Sequence, residues 1–344
     1  MLRLIAKWLL SGVLVLVLGI ASGYWLINEY MDTPLPGNSA PQVILVPKGS
    51  SLSKLAQQLA QQGLLKCPEM FIAYSRLTHQ TNIRVGEYQL NPGDTPRMFL
   101  ERLIAGQVIF YQVTFPEGLN IREWLSLLKA ETKLLQRLDG VSSQDLIQQL
   151  SLDVGHVEGW FFPDTYRYST GDSDRDILLR AHLRMQKVLE EEWQHRQADL
   201  PFHSSYEALI LASIVEKETG VESERDQIAG VFVRRLKRGM RLQTDPTVIY
   251  GLGDQYRGNI TRRHLKQSTP YNTYLIKGLP PTPIAMPGRD AIHAALNPAD
   301  GDALYFVAKG DGSHYFSATL DEHLKAVQRY QLQRRSNYRS SPDK

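Results

Sequence analysis

The sequence predicts an α+β protein in three parts: an N-terminal transmembrane helix, a small α+β module and a larger α+β domain. Three observations carry this. An uncharged apolar run fills residues 8–27, directly behind the cations Arg3 and Lys7. Short strand-like stretches alternate with helical periodicities through residues 42–107. From residue 156 onward, longer helical patterns are followed by a proline-rich stretch and then a late apolar strand. At 344 residues the chain has room for about two domains.

Residues 1–7 form a short cytoplasmic N-terminus. The run WLLSGVLVLVLGIASGYWLI over 8–27 spans about 30 Å as a helix, one bilayer core. Trp8, Tyr24 and Trp25 lie near its ends, where aromatic rings favour the interface. Cations ahead of the span keep the N-terminus inside and place the rest outside. The competing reading is a cleaved signal peptide, for which Ala21-Ser22-Gly23 offers small residues. The apolar run is long for that role and continues past this point. Residues 28–41, punctuated by Pro34, Pro36, Gly37 and Pro41, read as a tether.

The small module covers 42–107. Gln42 to Val46 is a strand, and Ser51 opens a helix with Leu52, Leu55, Ala56, Leu59 and Ala60 at helical spacing, stopped by Gly63. Residues 68–77 form a second helix and Tyr88 to Leu90 a short strand. Thr95 caps a third helix with Pro96 at its first position. Residues 108–155 form a connecting segment: a strand over 108–115, a helical region after Pro116-Glu117-Gly118 that ends near Leu138, and a short helix over 143–150.

The larger domain covers 156–335. Phe161 to Tyr166 is a tight aromatic loop, and Asp174 to Ala198 a long amphipathic helix. Ser205 to Gly220 reads as an apolar helix. Residues 223–237 form its partner, with Ser223 and Asp226 as a capping box. The chain is then loop-rich until the strand Ala303 to Ala308, which pairs with Tyr315 to Ser317 across Gly310-Asp311-Gly312. A final helix runs from Leu320 to Arg335, and 336–344 is a polar tail.

Composition excludes several functions. The formal net charge of +3 is too small to argue for a nucleic-acid partner. The nine histidines lack the short spacing of a metal site, so no metal is expected. The single cysteine, Cys67, forbids an internal disulfide and reads as a semi-buried apolar residue. There is no G-x-S-x-G elbow, glycine-rich phosphate loop or H-E-x-x-H pair.

The segment SYEALILASIVEKETG carries the candidate chemistry. At about 100° per residue, Leu211, Ile214, Val215 and Glu218 share one stripe. A carboxyl among apolar neighbours has its pKa raised and can hold a proton near neutral pH, as a general acid must. A helix-end glutamate turned to solvent fits the same spacing. Glu216 lies about 160° away and reads as a salt-bridge partner of Arg234 or Arg235.

Four later segments mix rings with hydrogen-bonding groups: LQTDPT at 242–247, PYNTY at 270–274, GLPP at 278–281 and IAMPG at 284–288. Rings beside amides and hydroxyls suit a sugar groove, because a pyranose has apolar faces and a rim of hydroxyls. A proline-rich surface with tyrosines used in packing fits the same residues. Asp245 is either a second carboxylate or a brace for its own turn.

With these segments in view the sequence resembles the YceG-like family of endolytic murein transglycosylases. The matching motifs are VPKGSSLSKLAQQL at 46–59, EGWFFPDTY at 158–166, ASIVEKET at 212–219, MRLQTDPTVIYG at 240–251, PYNTYLIKGLPPTPIAMPG at 270–288 and LYFVA at 304–308. The resemblance implies a LysM-like module at 42–107 and a catalytic domain at 156–335. It implies cleavage of peptidoglycan glycan strands between N-acetylmuramic acid and N-acetylglucosamine, leaving a 1,6-anhydro-muramyl end and ending strand elongation. It places the catalytic role on Glu218 and substrate contacts on Gln243, Thr244, Asp245, Tyr271 and Asn272. It requires no cofactor, locates the catalytic domain in the periplasm on a bacterial inner-membrane anchor, and implies peptidoglycan synthases as partners. Two other readings stay open: a non-catalytic, membrane-tethered glycan-binding scaffold, and a hydrolytic muramidase with Asp245 as second carboxylate.

Overall fold

The computed structural model describes residues 1–36 and 40–332. The tail expected over 336–344, the end of the final helix and residues 37–39 of the expected tether lie outside the described residues.

Helix α1 (Leu2–Asp32) has no charged residue between Lys7 and Glu29. From Ile5 to Asp32 it is long and apolar enough to cross a membrane, with a mean hydropathy of 2.1. Its side chains from Trp8 to Leu18 are exposed, so protein does not cover this apolar surface. The helix continues through Asn28–Asp32, where the sequence predicts a tether. Arg97 explains the difference: Nε donates to Asp32 Oδ1 at 2.6 Å, and Nη2 donates to Asp32 Oδ2 at 3.0 Å and to Asn28 Oδ1 at 3.1 Å. Met31 is fully buried among the residues of the small module.

The chain divides into two compact units. The first contains Met1–Gln112, Lys133–Leu135 and Arg167–Asp172. Its strands β1 (Gln42–Val46) and β2 (Gly86–Leu90) are antiparallel, with Ile44 opposite Tyr88. Helices α2 (Leu52–Gln61), α3 (Pro68–Leu77) and α4 (Pro96–Ala105) complete it. Ser51 and Thr95 cap α2 and α4 by accepting from the N–H groups of Lys54 and Met98. Alternate residues of β1 (Ile44 and Val46) join Leu55, Phe71, Tyr88, Phe99 and Leu103 in one core. Strands β3 (Tyr111–Thr114) and β4 (Thr165–Tyr168) pair, and the division between units falls within them.

The second unit is mainly helical. It contains α5 (Ile121–Ala130), α6 (Ser143–Leu150), α7 (Asp174–Gln194), α8 (Ser205–Glu218), α9 (Arg225–Lys237), α10 (Asp245–Leu252), α11 (Arg262–Lys266) and α12 (Arg289–Leu296). Strands β5 (Tyr305–Ala308) and β6 (His314–Ser317) and helix α13 (Leu320–Val327) follow. Every residue of α8 from Ala208 to Val215 is buried, so it is a central helix with no solvent face over these two turns. Helices α7, α9, α10 and α12 surround it. β5 and β6 pair antiparallel with Ala308 opposite His314, as the glycine-bounded turn predicts.

Several local expectations fail. The stretch read as loop-rich, 240–302, holds α10, α11 and α12. In α12, Ala291, Ile292, Ala294, Ala295 and Leu296 are buried and Arg289, Asp290 and His293 share the exposed face, but the helix is only eight residues long and follows the proline-rich stretch, so its period is short. The Ser223 capping box does not form: a 3-10 turn (Glu222–Glu224) leads into α9 with no side-chain cap. Helix α5 stops at Ala130, short of Leu138, and α7 stops at Gln194, short of Ala198.

Candidate active site

Helix α8 ends at Glu218, and Thr219 leaves it in extended conformation. There the chain borders a cleft of about 620 Å3, lined by Glu218, Gln243, Thr244 and Asp245 together with Arg235, Tyr274 and residues of β5, β6 and α13. Glu218 keeps a partial opening to this cleft. Protein nevertheless surrounds its carboxyl, and burial pushes the pKa up to about 7. The Thr244 hydroxyl donates to Glu218 Oε1 and opposes that rise, while the nearby negative charge of Asp245 adds to it.

The segment from Gln243 to Asp245 is held by its backbone. Gln243 adopts a left-handed φ of +53° and donates its N–H to Thr273 O at 3.1 Å. The Thr244 N–H donates to Thr273 Oγ1 at 3.0 Å, and Thr247 Oγ1 donates to Thr244 O at 2.8 Å. Thr244 is buried, while Gln243 and Asp245 are exposed to the cleft. Asp245 opens α10 with Pro246 beside it, and its Oδ1 accepts from Tyr274 OH at 2.7 Å. Arg235 in the last turn of α9 donates to the carbonyls of Leu304 at 2.6 Å and Leu242 at 2.9 Å. It therefore ties this segment to β5.

The cleft thus gathers Glu218, Gln243, Thr244 and Asp245, and leaves out two other expected contacts. Asn272 is fully buried. Its Nδ2 donates to Gln267 O at 2.7 Å and to Leu265 O at 3.1 Å, and its Oδ1 accepts from Tyr274 N at 3.0 Å. Its amide braces the loop that carries Tyr274 and does not face the cleft. Tyr271 packs edge-on to Tyr250 at 4.9 Å, with its hydroxyl 2.8 Å from Thr282 Oγ1. Glu216 also departs from expectation: its Oε2 accepts from Gly288 N at 3.0 Å, while Arg234 and Arg235 bond to carbonyls.

Sequence reasoning missed Tyr274, Arg235, the Glu224–His314 pair and Glu158. Tyr274 stood inside PYNTY, and Glu158 opens EGWFFPDTY. Neither Arg235 nor Glu224 carried a local signal, because each acts through residues far along the chain. Glu158 is 1% exposed, and burial raises its carboxyl to about 7. It accepts from Ile121 N at 3.0 Å and from Tyr250 OH at 2.9 Å. Among the described residues no three His, Cys, Asp or Glu side chains are grouped to hold a metal ion.

What the arrangement can do chemically is narrow. A carboxyl that titrates near neutrality, beside a hydroxyl and a second carboxylate in an open cleft, can give a proton to a bound ligand and take one back.

The comparisons with known proteins agree on one relationship. Residues 44–329 match the YceG-like family. The chain is 31% identical over 329 residues to the endolytic murein transglycosylase of Bacillus subtilis (strain 168), covering 90% of this chain and 91% of that one. It is 27% identical over 362 residues to the endolytic murein transglycosylase of Streptococcus pneumoniae (strain D39), covering 94% of this chain and 65% of that longer protein. A 2.6 Å crystal structure of a YceG-like protein from Listeria monocytogenes matches with a TM-score of 0.54 and 29% identity, over 83% of this chain and 98% of the other. Motifs, fold and relatives over most of the sequence concur: the chain belongs to the YceG-like family.

Proposed function

We propose that this protein is a membrane-anchored endolytic murein transglycosylase that cleaves peptidoglycan glycan strands, with Glu218 as acid and then base. The observation that carries the reading is the Glu218 carboxyl, raised to about 7 at the edge of an open cleft beside Thr244 and Asp245. The protonated carboxyl gives its proton to the glycosidic oxygen between N-acetylmuramic acid and N-acetylglucosamine as the C1–O bond breaks. The muramyl C6 hydroxyl then attacks C1 of the same sugar, and the Glu218 carboxylate takes the hydroxyl proton. The product is a 1,6-anhydro-muramyl end, and Glu218 returns to its starting state. An internal nucleophile avoids much of the entropic cost of a bimolecular step. One carboxyl suffices, whereas hydrolytic glycosidases use two.

Gln243 and Asp245, exposed in the same cleft, are the side chains suited to hold sugar hydroxyls. α1 fits a single-pass inner-membrane anchor with the N-terminus in the cytoplasm and the catalytic domain in the periplasm. Tethering confines cleavage to strands made near the membrane, where peptidoglycan synthases are the natural partners. The module over 42–107 is assigned as LysM-like, with a glycan-holding role.

The experiment is mass analysis of glycan strands incubated with the wild-type protein and with Glu218→Gln. The wild type yields anhydro ends, and the variant leaves strands intact. One observation favours a second reading: Asp245 shares the cleft with Glu218, as the second carboxylate of a hydrolytic muramidase does. Reducing ends in the products select that reading. Strands left intact by the wild type select a scaffold.

A further inference from the structure

The cleft has a second polar centre, built by elements other than α8. The 3-10 turn before α9 and the start of β6 bring Glu224 and His314 together. Glu224 Oε1 accepts from the His314 backbone N–H at 2.9 Å, and Oε2 lies 2.8 Å from His314 Nδ1. Both side chains are nearly enclosed, 11% and 7% exposed. The Phe306 ring meets the imidazole edge-on at 5.4 Å. One carboxylate bonded to both the backbone and the ring of the same residue, with an aromatic ring against it, fixes the imidazole in one orientation.

A carboxylate can only accept, so Nδ1 carries the proton. With the ring neutral, Nε2 is then an acceptor, and among the described residues no hydrogen bond engages it. His314 nevertheless lines the same cleft as Glu218. Holding Glu224 in place needs only Nδ1 and the backbone N–H, which leaves Nε2 with nothing to do inside the fold. A glycan strand carries the matching chemistry along its whole length, in its hydroxyl and acetamido N–H donors.

We propose that His314, oriented by Glu224, is a sugar-binding residue of this cleft, with Nε2 accepting a hydrogen bond from a sugar unit of the glycan strand. The inference rests on the transglycosylase reading of the cleft. Glu224 is a positioning residue, acting only through the ring it holds.

The test uses the full chain in detergent. His314→Asn keeps an amide where Nδ1 bonds Glu224 and removes the group that reaches the cleft. Binding of chitohexaose is measured in the Glu218→Gln protein with and without His314→Asn, and KM for glycan strands in proteins with Glu218 intact. The expected result is about fivefold to tenfold weaker binding, one hydrogen bond's worth. The loss falls on KM more than on kcat, and the melting temperature holds. Glu224→Gln produces a loss of similar size, and combining the two adds little, as coupled residues require. Unchanged hexaose binding and KM in a folded His314→Asn protein overturn the proposal, as does additivity of the two changes. If His314→Asn does not fold, the same measurements on Glu224→Gln decide. Anhydro products from the wild type keep the transglycosylase reading standing in either case, and their absence removes that reading whatever His314 does.

Discussion

Thr244 occupies the N-cap position of α10, yet its hydroxyl donates to Glu218 Oε1 and makes no capping bond to the helix. An N-cap threonine ordinarily satisfies a free N–H of the first turn. Here the backbone of Thr244 is already fixed by Thr273 and Thr247, which frees the hydroxyl for the carboxyl. Two consequences follow for Thr244→Val. Stability changes little, because no cap is lost. The Glu218 carboxyl titrates above its present value of about 7, because the hydrogen bond favouring its charged form is gone. In a pH profile of kcat/KM the alkaline limb therefore moves to higher pH, and Thr244→Ser restores it. An alkaline limb that stays in place argues that this hydroxyl does not act on Glu218.

Glu218→Gln keeps the shape of the side chain and its contact with Thr244 but cannot give or take the proton. Strand cleavage falls by about a hundredfold to ten-thousandfold, the range set by general acid–base catalysis. Circular dichroism stays as in the wild type. Glu216→Gln is the control: its carboxyl bonds Gly288 N and does not line the cleft, so cleavage survives. Equal losses in the two variants would dissociate the chemistry from Glu218.

Glu158 gives a prediction about stability. Its folded pKa is raised from 4.5 to about 7, mainly by burial. The folded state therefore holds a proton that the unfolded chain releases first. The associated stability is complete below about 4.5, declines as pH rises, and is gone above about 7. Glu158→Gln removes this contribution to the pH slope, a difference on the order of 3 kcal/mol at most between pH 4.5 and 7. Urea unfolding at the two pH values measures it. A slope identical to the wild type would contradict a buried, proton-holding Glu158.

Gly159 follows at a φ of +83°, and a Cβ there would sit 2.5 Å from Pro283 Cγ. Gly159→Ala meets both a disfavoured backbone conformation and a proline ring that cannot swing aside. It costs about 1–3 kcal/mol, read as a lower melting temperature. An unchanged melting temperature would show that the 158–166 loop does not press against the proline-rich segment.

Sequence patterns revealed the elements with strong contrast between faces or clear punctuation. Ser51 and Thr95 announced their helices, and Gly310 to Gly312 announced the β5–β6 turn. The apolar stripe ending in Glu218 pointed to a carboxyl among apolar neighbours, although α8 is buried all round from Ala208 to Val215. α12 was missed because its polar face, Arg289, Asp290 and His293, spans barely two turns directly after a proline-rich stretch. In the cleft, Thr244 and Asp245 were legible because their motif is compact. Tyr271 and Asn272 lie outside this cleft, since a polar side chain suited to sugar is equally suited to bracing a loop, as Asn272 does with three carbonyls. Arg235, Glu224 and His314 were invisible because their meaning lies in partners as far as 90 residues away.

The central claim is that Glu218 holds its proton at neutral pH. Carbon-13 NMR titration of its side-chain carboxyl, assigned by comparison with Glu218→Gln, tests this without reference to any substrate. The account predicts a midpoint near 7, with Glu158 as a second glutamate raised to about 7. A midpoint at the ordinary 4.5 of an exposed glutamate would contradict it.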